Sequence, residues 1–401
     1  MKLDGYQRRL FVFLSVATFF EGYDFAALMQ VLPHLRSQWG LDKGDASWLA
    51  GFINVGTVLA YLVIGRADRW GRKRVLTLTI IGYTIFTALS GLAPNVWAFA
   101  VFQLIARIFL IGEWATSMVI AAEEFPAERR GMVIGVIGAA ATLGHVICVG
   151  IVPKIVALGS WRTVYFVGVI PLVIIAFARR NLRETARFTE QQANAQPTSL
   201  LAIWSTPFRR RVIELSAIWF FTYIATQNAV FFWKDYALSE LGWQEPVAAK
   251  AQVIAALAAM PLVFGAGKLL DLIGRKPGAA VILTLTAAGV FGSYSAKPFG
   301  LVVVSLTLAI VGVTAALTVL NTFTTELFPT SLRGSAFAWS NNLLGRIGYW
   351  GSPLVIAPLV RETGWAPTLR VTALFPVVAL LLVLWLLPET RGQKLEDTAR
   401  A

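Results

Sequence analysis

Glu21 and Asp24 stand three residues apart in FFEGYDFAAL, residues 19–28, inside an otherwise apolar run. That spacing puts both carboxyls on one face of a helix. Two neighbouring acids in apolar surroundings resist being ionised together, so such a pair can take up and release a proton. Arg107 and Glu113 share a second apolar run, RIFLIGEW, and Arg346 lies in a third, SNNLLGRIGYWG. A guanidinium in such a setting needs an anion. Asn342 lies four residues before Arg346, on the same face of an α-helix, and the planar fork of an arginine suits a carboxylate. Trp219, Tyr223, Gln227 and Asn228 crowd the run WFFTYIATQNAVFFW, while Asn54 and Gln103 are uncommon polar residues in two further runs. The chemistry these types can perform is proton exchange and anion recognition. His34 and His145 are isolated, so no metal site is expected, and a single cysteine, Cys148, excludes an intrachain disulfide. GAGK at 265–268 lacks the first glycine and the Ser/Thr of a phosphate loop. No cofactor and no enzymatic reaction are expected.

The elements that carry these residues follow from hydropathy. The chain has 401 residues, of which 57% are hydrophobic, and a mean hydropathy of +0.66. Soluble domains average about 45–50% apolar. Twelve apolar runs, at 10–32, 46–64, 75–93, 97–122, 132–156, 162–179, 212–236, 249–267, 278–296, 299–323, 334–359 and 368–387, approach or exceed the length of a membrane-crossing helix. Period-2 alternation is weak, which argues against a barrel. The first run carries Glu21 and Asp24 and lacks an A-x-A site, so it is not a cleavable leader. Ionisable groups inside spans cost about 2.5–3.5 kcal/mol each on insertion scales, so Glu21, Asp24, Arg107, Glu113 and Arg346 are functional candidates. Glu214 and Asp235 lie near the ends of the seventh span, where they can reach an interface. The formal charge of +13 concentrates in loops on the side of both termini, as the positive-inside rule places cytoplasmic loops. It forms no basic patch interleaved with aromatics, so nucleic acid is not an expected partner.

The chain repeats itself. At one offset of 203 positions, Asp68, Gly71, Arg72 and Lys73 fall on Asp271, Gly274, Arg275 and Lys276. At the same offset, Glu123, Phe125, Pro126, Arg130 and Gly131 fall on Glu326, Phe328, Pro329, Arg333 and Gly334. The expected organisation is an N-terminal six-helix half at 1–180, a polar cytoplasmic linker at 181–211, a C-terminal half at 212–390 and a cytoplasmic tail at 391–401. The small-residue run GMVIGVIGAAATLG at 131–144 predicts close helix packing.

These paired loops, GRADRWGRKRVL at 65–76 and GKLLDLIGRK at 267–276, resemble the loops of the major facilitator superfamily. EEFPAERRG, ELFPTSLRG, RETARF and PETRG resemble its aromatic-acid/proton symporter, sugar-porter and organic-ion branches. The resemblance implies an all-α membrane protein of twelve helices in two pseudo-symmetric bundles, working by alternating access. It implies a cytoplasmic latch of Gly65, Asp68, Gly71, Arg72, Arg129 and Arg130, with Asp271, Arg275, Glu326 and Arg333 in the second half. It also implies a proton-coupling set of Asp24, Glu21, Arg107 and Glu113, in which Asp24, with Glu21, carries protons and Arg107 pairs with Asp24 or, alternatively, with Glu113. Arg346, Asn342, Gln227, Asn228, Tyr223, Trp219, Asn54 and Gln103 are the expected substrate contacts. The expected function is proton-coupled import of a small organic anion, an aromatic or other monocarboxylate. A proton-driven exporter of lipophilic drugs, a sugar or polyol symporter and a non-transporting receptor stay open. The expected setting is a lipid bilayer, a bacterial inner membrane with both termini cytoplasmic, and a monomer whose partners are substrate and protons.

Overall fold

The computed structural model describes the backbone of residues 4–70, 72–125, 127–178 and 200–393, and their side chains apart from 62–72, 122, 127–131, 170–178 and 330. No strand occurs among the described residues. They fall into two compact units. The first, Met1–Leu41 with Phe52–Gln196, holds α1 (Gly5–Trp39), most of α2 (Lys43–Trp70), α3 (Arg72–Gly91), α4 (Val96–Glu124), α5 (Ala127–Leu158) and α6 (Trp161–Ala178). The second, Asp42–Gly51 with Pro197–Ala401, opens with a 3₁₀ turn at Leu200–Ser205 and continues with α7 (Arg209–Phe231), α8 (Trp233–Ser239), α9 (Glu245–Ile273) and α10 (Arg275–Ser293). It is completed by α11 (Phe299–Glu326), α12 (Thr330–Phe337), a π-helical segment at Ala338–Gly345, α13 (Ile347–Thr363), α14 (Trp365–Val371) and α15 (Leu374–Leu386). Among the described residues nine helical stretches are long and apolar enough to cross a membrane, and α7 with α8, bent by 43° at Phe232, makes a tenth. Each of the twelve expected spans falls on helix.

Helix ends are set locally. Asp4 caps α1: its Oδ1 accepts from Gln7 N at 2.7 Å, and Gln7 Oε1 accepts from Asp4 N at 3.2 Å. Gly40 ends the helix at φ 62°, a left-handed conformation that glycine adopts freely. Inside the first unit α1 packs against α5, and α3 against α4 and α6. Leu14, Ile80, Tyr83, Leu110 and Ile137 form its core. In the second unit α10 packs on α11, and α7 on the π segment, α13 and α15, around Trp219, Leu270, Ile282, Val319 and Phe323. The α3–α4 and α10–α11 pairs are related by the offset read from the sequence, as are α1–α5 and α7–π segment.

The small-residue run is used at one end. A Cβ on Gly144 would lie 1.9 Å from Phe19 O, and one on Gly22 would lie 1.9 Å from Ala141 O. No larger residue fits while α1 and α5 touch there. Gly135 and Gly138 of the same run have nothing within 4 Å of a built Cβ. The close packing therefore sits beside Glu21 and leaves the rest of the run without a steric demand for glycine.

Candidate functional site

The first unit gathers acids around one guanidinium. Asp24, Arg107 and Glu113 are buried, from α1 and α4, which pack together. Asp24 Oδ2 accepts from Thr87 Oγ1 at 3.4 Å. Glu21 lies within electrostatic range of both Glu113 and Arg107, and Asp24 within range of Arg107. The direct Asp24–Arg107 bond expected from sequence is not made, nor is the alternative bond to Glu113. Asp24 Oδ1, Glu113 Oε2, Glu21 Oε2 and Arg107 Nη1 are all buried without a hydrogen-bond partner. The reason is local: the guanidinium lies over the Phe25 ring, its Cζ 4.7 Å from the centroid, where a cation gains from the π face. Gly56 lets α2 approach, since a Cβ there would lie 2.6 Å from Leu104 O and 3.1 Å from Arg107 Cβ. Asn54, two residues earlier, is fully buried with neither side-chain atom bonded. Gln103 instead donates to Ser90 Oγ at 2.9 Å, which ties α4 to α3.

The second unit builds a different cluster. Tyr223 Oη donates to Asn341 Oδ1 at 2.6 Å, and Arg346 Nη2 donates to Tyr223 Oη at 3.2 Å. With its one proton committed to Asn341, the phenol presents a lone pair to the guanidinium. Arg346 Cζ also lies 5.3 Å from the Tyr223 ring and 5.8 Å from the Tyr349 ring. Trp219 stacks on Tyr223 at 5.2 Å and donates through Nε1 to Thr324 Oγ1 at 3.3 Å. Tyr223 thus holds Arg346, while Trp219 fixes Tyr223. Asn342 is buried, but the partner brought to this relay is Asn341, which sequence reasoning missed. The π segment explains the change. Its i→i+5 repeat puts residues five apart in register, so Asn341 rather than Asn342 lies one turn before Arg346. Gly345 and Gly348 let this segment reach α7, with built Cβ atoms 2.4 Å from Trp219 Cβ and 2.2 Å from Phe220 O. On α7, Asn228 Nδ2 donates to Ser352 Oγ at 3.0 Å, while Asn228 Oδ1, Gln227 Nε2 and Thr222 Oγ1 are buried without partners.

Charge also collects at the α7–α8 break. Lys234 is fully buried and pairs with Glu245. Asp235 is buried too, accepting from Trp365 Nε1 at 2.5 Å. Its neighbour Lys234 was legible as a charge inside FFWKDYAL, yet drew no expectation. Glu214 pairs with Arg210 at 2.8 Å, near the start of α7 as expected.

The latch is described in the second half only. Gly71 lies outside the described residues, and the side-chain surroundings of Gly65, Asp68, Arg72, Arg129 and Arg130 are outside what is described. Arg275 bonds Asp271 and Glu326, each at 2.8 Å. Arg333 donates to Phe328 O at 3.4 Å and joins neither acid through that bond. Gly274 adopts φ 107°, a conformation open to glycine, and a Cβ there would lie 3.0 Å from Glu389 Oε2. Glu389, from the PETRG segment, accepts from the backbone N–H of Arg275 and of Lys276, each at 2.8 Å. Burial alone would raise its pKa, but these bonds and those from the backbone of Arg391 and Thr390 hold it below the usual 4.5. Its contribution to stability is therefore present above the ordinary carboxyl range and is lost as pH falls through the lowered value. Glu389→Gln should cost about 1 kcal/mol of stability at neutral pH. The loss, read as a fall in Tm in detergent, should shrink as the pH is lowered below 4.5.

The family profile described as "Major Facilitator Superfamily" matches residues 14–353 and, in an overlapping match, 215–401. The "Probable 4-methylmuconolactone transporter" of Cupriavidus pinatubonensis is 27% identical over 95% of this chain and 90% of that protein. The "Niacin transporter NiaP" of Acinetobacter baylyi is 23% identical over 94% of this chain and 93% of that one. The crystal structure of a D-xylose–proton symporter matches with a TM-score of 0.79 and 18% identity, covering 97% of this chain and all of the other. That likeness speaks for the fold of twelve helices.

Proposed function

As this chain belongs to the major facilitator superfamily and is a multi-pass membrane transporter, we propose that it imports a small organic anion together with protons. The substrate class is an aromatic or other monocarboxylate. Import proceeds by alternating access, as a monomer in the cell membrane with both termini in the cytoplasm. The observation that carries this reading is Arg346, held by the Tyr223 hydroxyl and by the faces of Tyr223 and Tyr349. The planar fork of a guanidinium suits a carboxylate, and the same rings offer a face to an aromatic substrate. Gln227, Asn228 and Thr222 supply unpartnered polar atoms on the neighbouring helix. Proton coupling is supported by the buried, incompletely bonded acids of the first unit. The two relatives, a muconolactone and a niacin transporter by name, point to the same chemical class.

A sugar or polyol symporter is the second reading, favoured by those unpartnered amide and hydroxyl atoms. Ligand stabilisation separates the two. The purified carrier should gain Tm with niacin or another aromatic monocarboxylate, and not with D-xylose or a lipophilic cation. At a hundredfold excess over Kd the gain corresponds to about 2.7 kcal/mol. Stabilisation by D-xylose or by the cation alone would overturn the anion reading.

A further inference from the structure

The proton-coupling candidates expected from sequence are Asp24, Glu21, Arg107 and Glu113, with Asp24 the foremost acid. The structure brings a third carboxyl into the same surroundings. Glu21, Asp24 and Glu113 all lie in the part of the first unit where α1 packs against α4; Arg107 is within electrostatic range of Glu21 and Asp24, and Glu113 is within range of Glu21. One oxygen of each acid and Nη1 of the arginine are buried with no hydrogen-bond partner. Three ionised carboxylates around one cation would leave two negative charges without a counter-ion, in apolar surroundings that cannot solvate them. Two protons shared among the three acids bring the cluster to neutrality.

The described arginines and lysines of these helices other than Arg107 do not figure among the groups in electrostatic range of Glu21 and Asp24. α3 contributes Tyr83, α6 Tyr165, and α1 itself Tyr23, whose hydroxyl donates to Val164 O at 3.1 Å. α5 brings Cys148 and His145. His145 is the one group among these that could hold a further positive charge, so the test includes it.

We propose that this cluster stores two exchangeable protons, so that each monoanion enters with two protons and each cycle carries one net positive charge inward. This rests on the proton-coupled reading above and adds its stoichiometry. With an imposed pH difference of one unit and no membrane potential, two protons per anion permit about hundredfold accumulation, and one proton about tenfold. A potassium–valinomycin potential should also drive uptake by itself.

The test has a substrate-free arm and a transport arm. Infrared spectra of the full-length carrier in lipid at neutral pH should show C=O absorption from two un-ionised buried carboxyls. Glu21→Gln and Glu113→Gln should each reduce this to one, the double variant to none, and His145→Gln should leave it unchanged. No un-ionised carboxyl in the wild type, or single variants that leave the band intact, would overturn the proposal. So would a gain of carboxyl absorption in His145→Gln, because the imidazolium would then be the second counter-charge. In proteoliposomes, uptake of labelled niacin driven by pH but indifferent to potential contradicts two protons and leaves the symport reading standing. A carrier that neither binds nor moves any monocarboxylate defeats that reading, while the infrared count still decides the proton inventory.

Discussion

Arg346→Ala should abolish carboxylate binding, with a loss of about 2–5 kcal/mol if the guanidinium and carboxylate are desolvated together. The expectation rests on how the side chain is held. Tyr223 accepts from its Nη2, Asn341 takes the phenol proton, and Trp219 stacks behind Tyr223. The guanidinium is oriented before a ligand arrives, so little ordering cost falls on binding. Arg346→Lys should recover only part of the affinity, since an ammonium cannot make the two-pronged contact. Tyr223→Phe removes the hydroxyl while keeping the ring. It should weaken binding less than Arg346→Ala and more than Asn342→Ala, because Asn341 rather than Asn342 completes the relay. Calorimetric titration of the purified variants checks the order. Normal carboxylate affinity in Arg346→Ala would remove the anion reading.

Asp24→Asn should abolish accumulation of substrate against a gradient and leave some exchange of labelled for unlabelled substrate. Exchange needs no return of an empty, deprotonated carrier, whereas net uptake does. Asparagine keeps the size of the side chain and can still accept from Thr87, which approaches Asp24 Oδ2 at 3.4 Å. Loss of accumulation with retained counterflow would therefore report coupling rather than misfolding. Full accumulation by the variant would mean that Asp24 is not an essential proton carrier.

Much of the architecture was legible because hydropathy is a one-dimensional signal. A run such as 299–323 must be a helix in hydrocarbon, since no other isolated segment satisfies its own backbone there. The repeat was legible because its identities sit at loops and helix ends, where backbone geometry demands particular residues; Gly274, at φ 107°, is the example the structure supplies. What escaped were departures from ideal helix. The π segment at Ala338–Gly345 changes which residues share a face, so Asn342 was expected where Asn341 stands. No local pattern announces a π turn; it comes from packing against α7 through Gly345 and Gly348. The Asp24–Arg107 bond is what the family resemblance implies for a buried guanidinium that needs an anion. The Phe25 face holds the guanidinium over the ring instead. Glu389 bonds a helix start more than a hundred residues away in sequence, a contact that motif reading does not reveal.

The two halves of the repeat differ at the candidate site residues. At the shared offset, Asp24 falls on Gln227 and Glu113 on Ala316, while Arg346 falls on Leu143. Asp24 and Glu113 are buried in the first half, and Arg346, the proposed anion contact, lies in the second. Among the described residues the second half also holds the break at Phe232 and the π segment, where the first has the continuous α1 and α5. On the proposed reading, proton chemistry and substrate recognition rest on different copies of one fold.

The central claim is that a carboxylate enters with protons. Its direct test is uptake of a labelled aromatic monocarboxylate, niacin first, into proteoliposomes holding the full-length carrier, with the outside made one pH unit more acid than the lumen. The account predicts accumulation of at least about tenfold over the outside concentration, since each coupled proton contributes a factor of ten per pH unit. The gain should collapse when a protonophore is added. Equilibration without accumulation, or accumulation of D-xylose in place of every carboxylate offered, would contradict it.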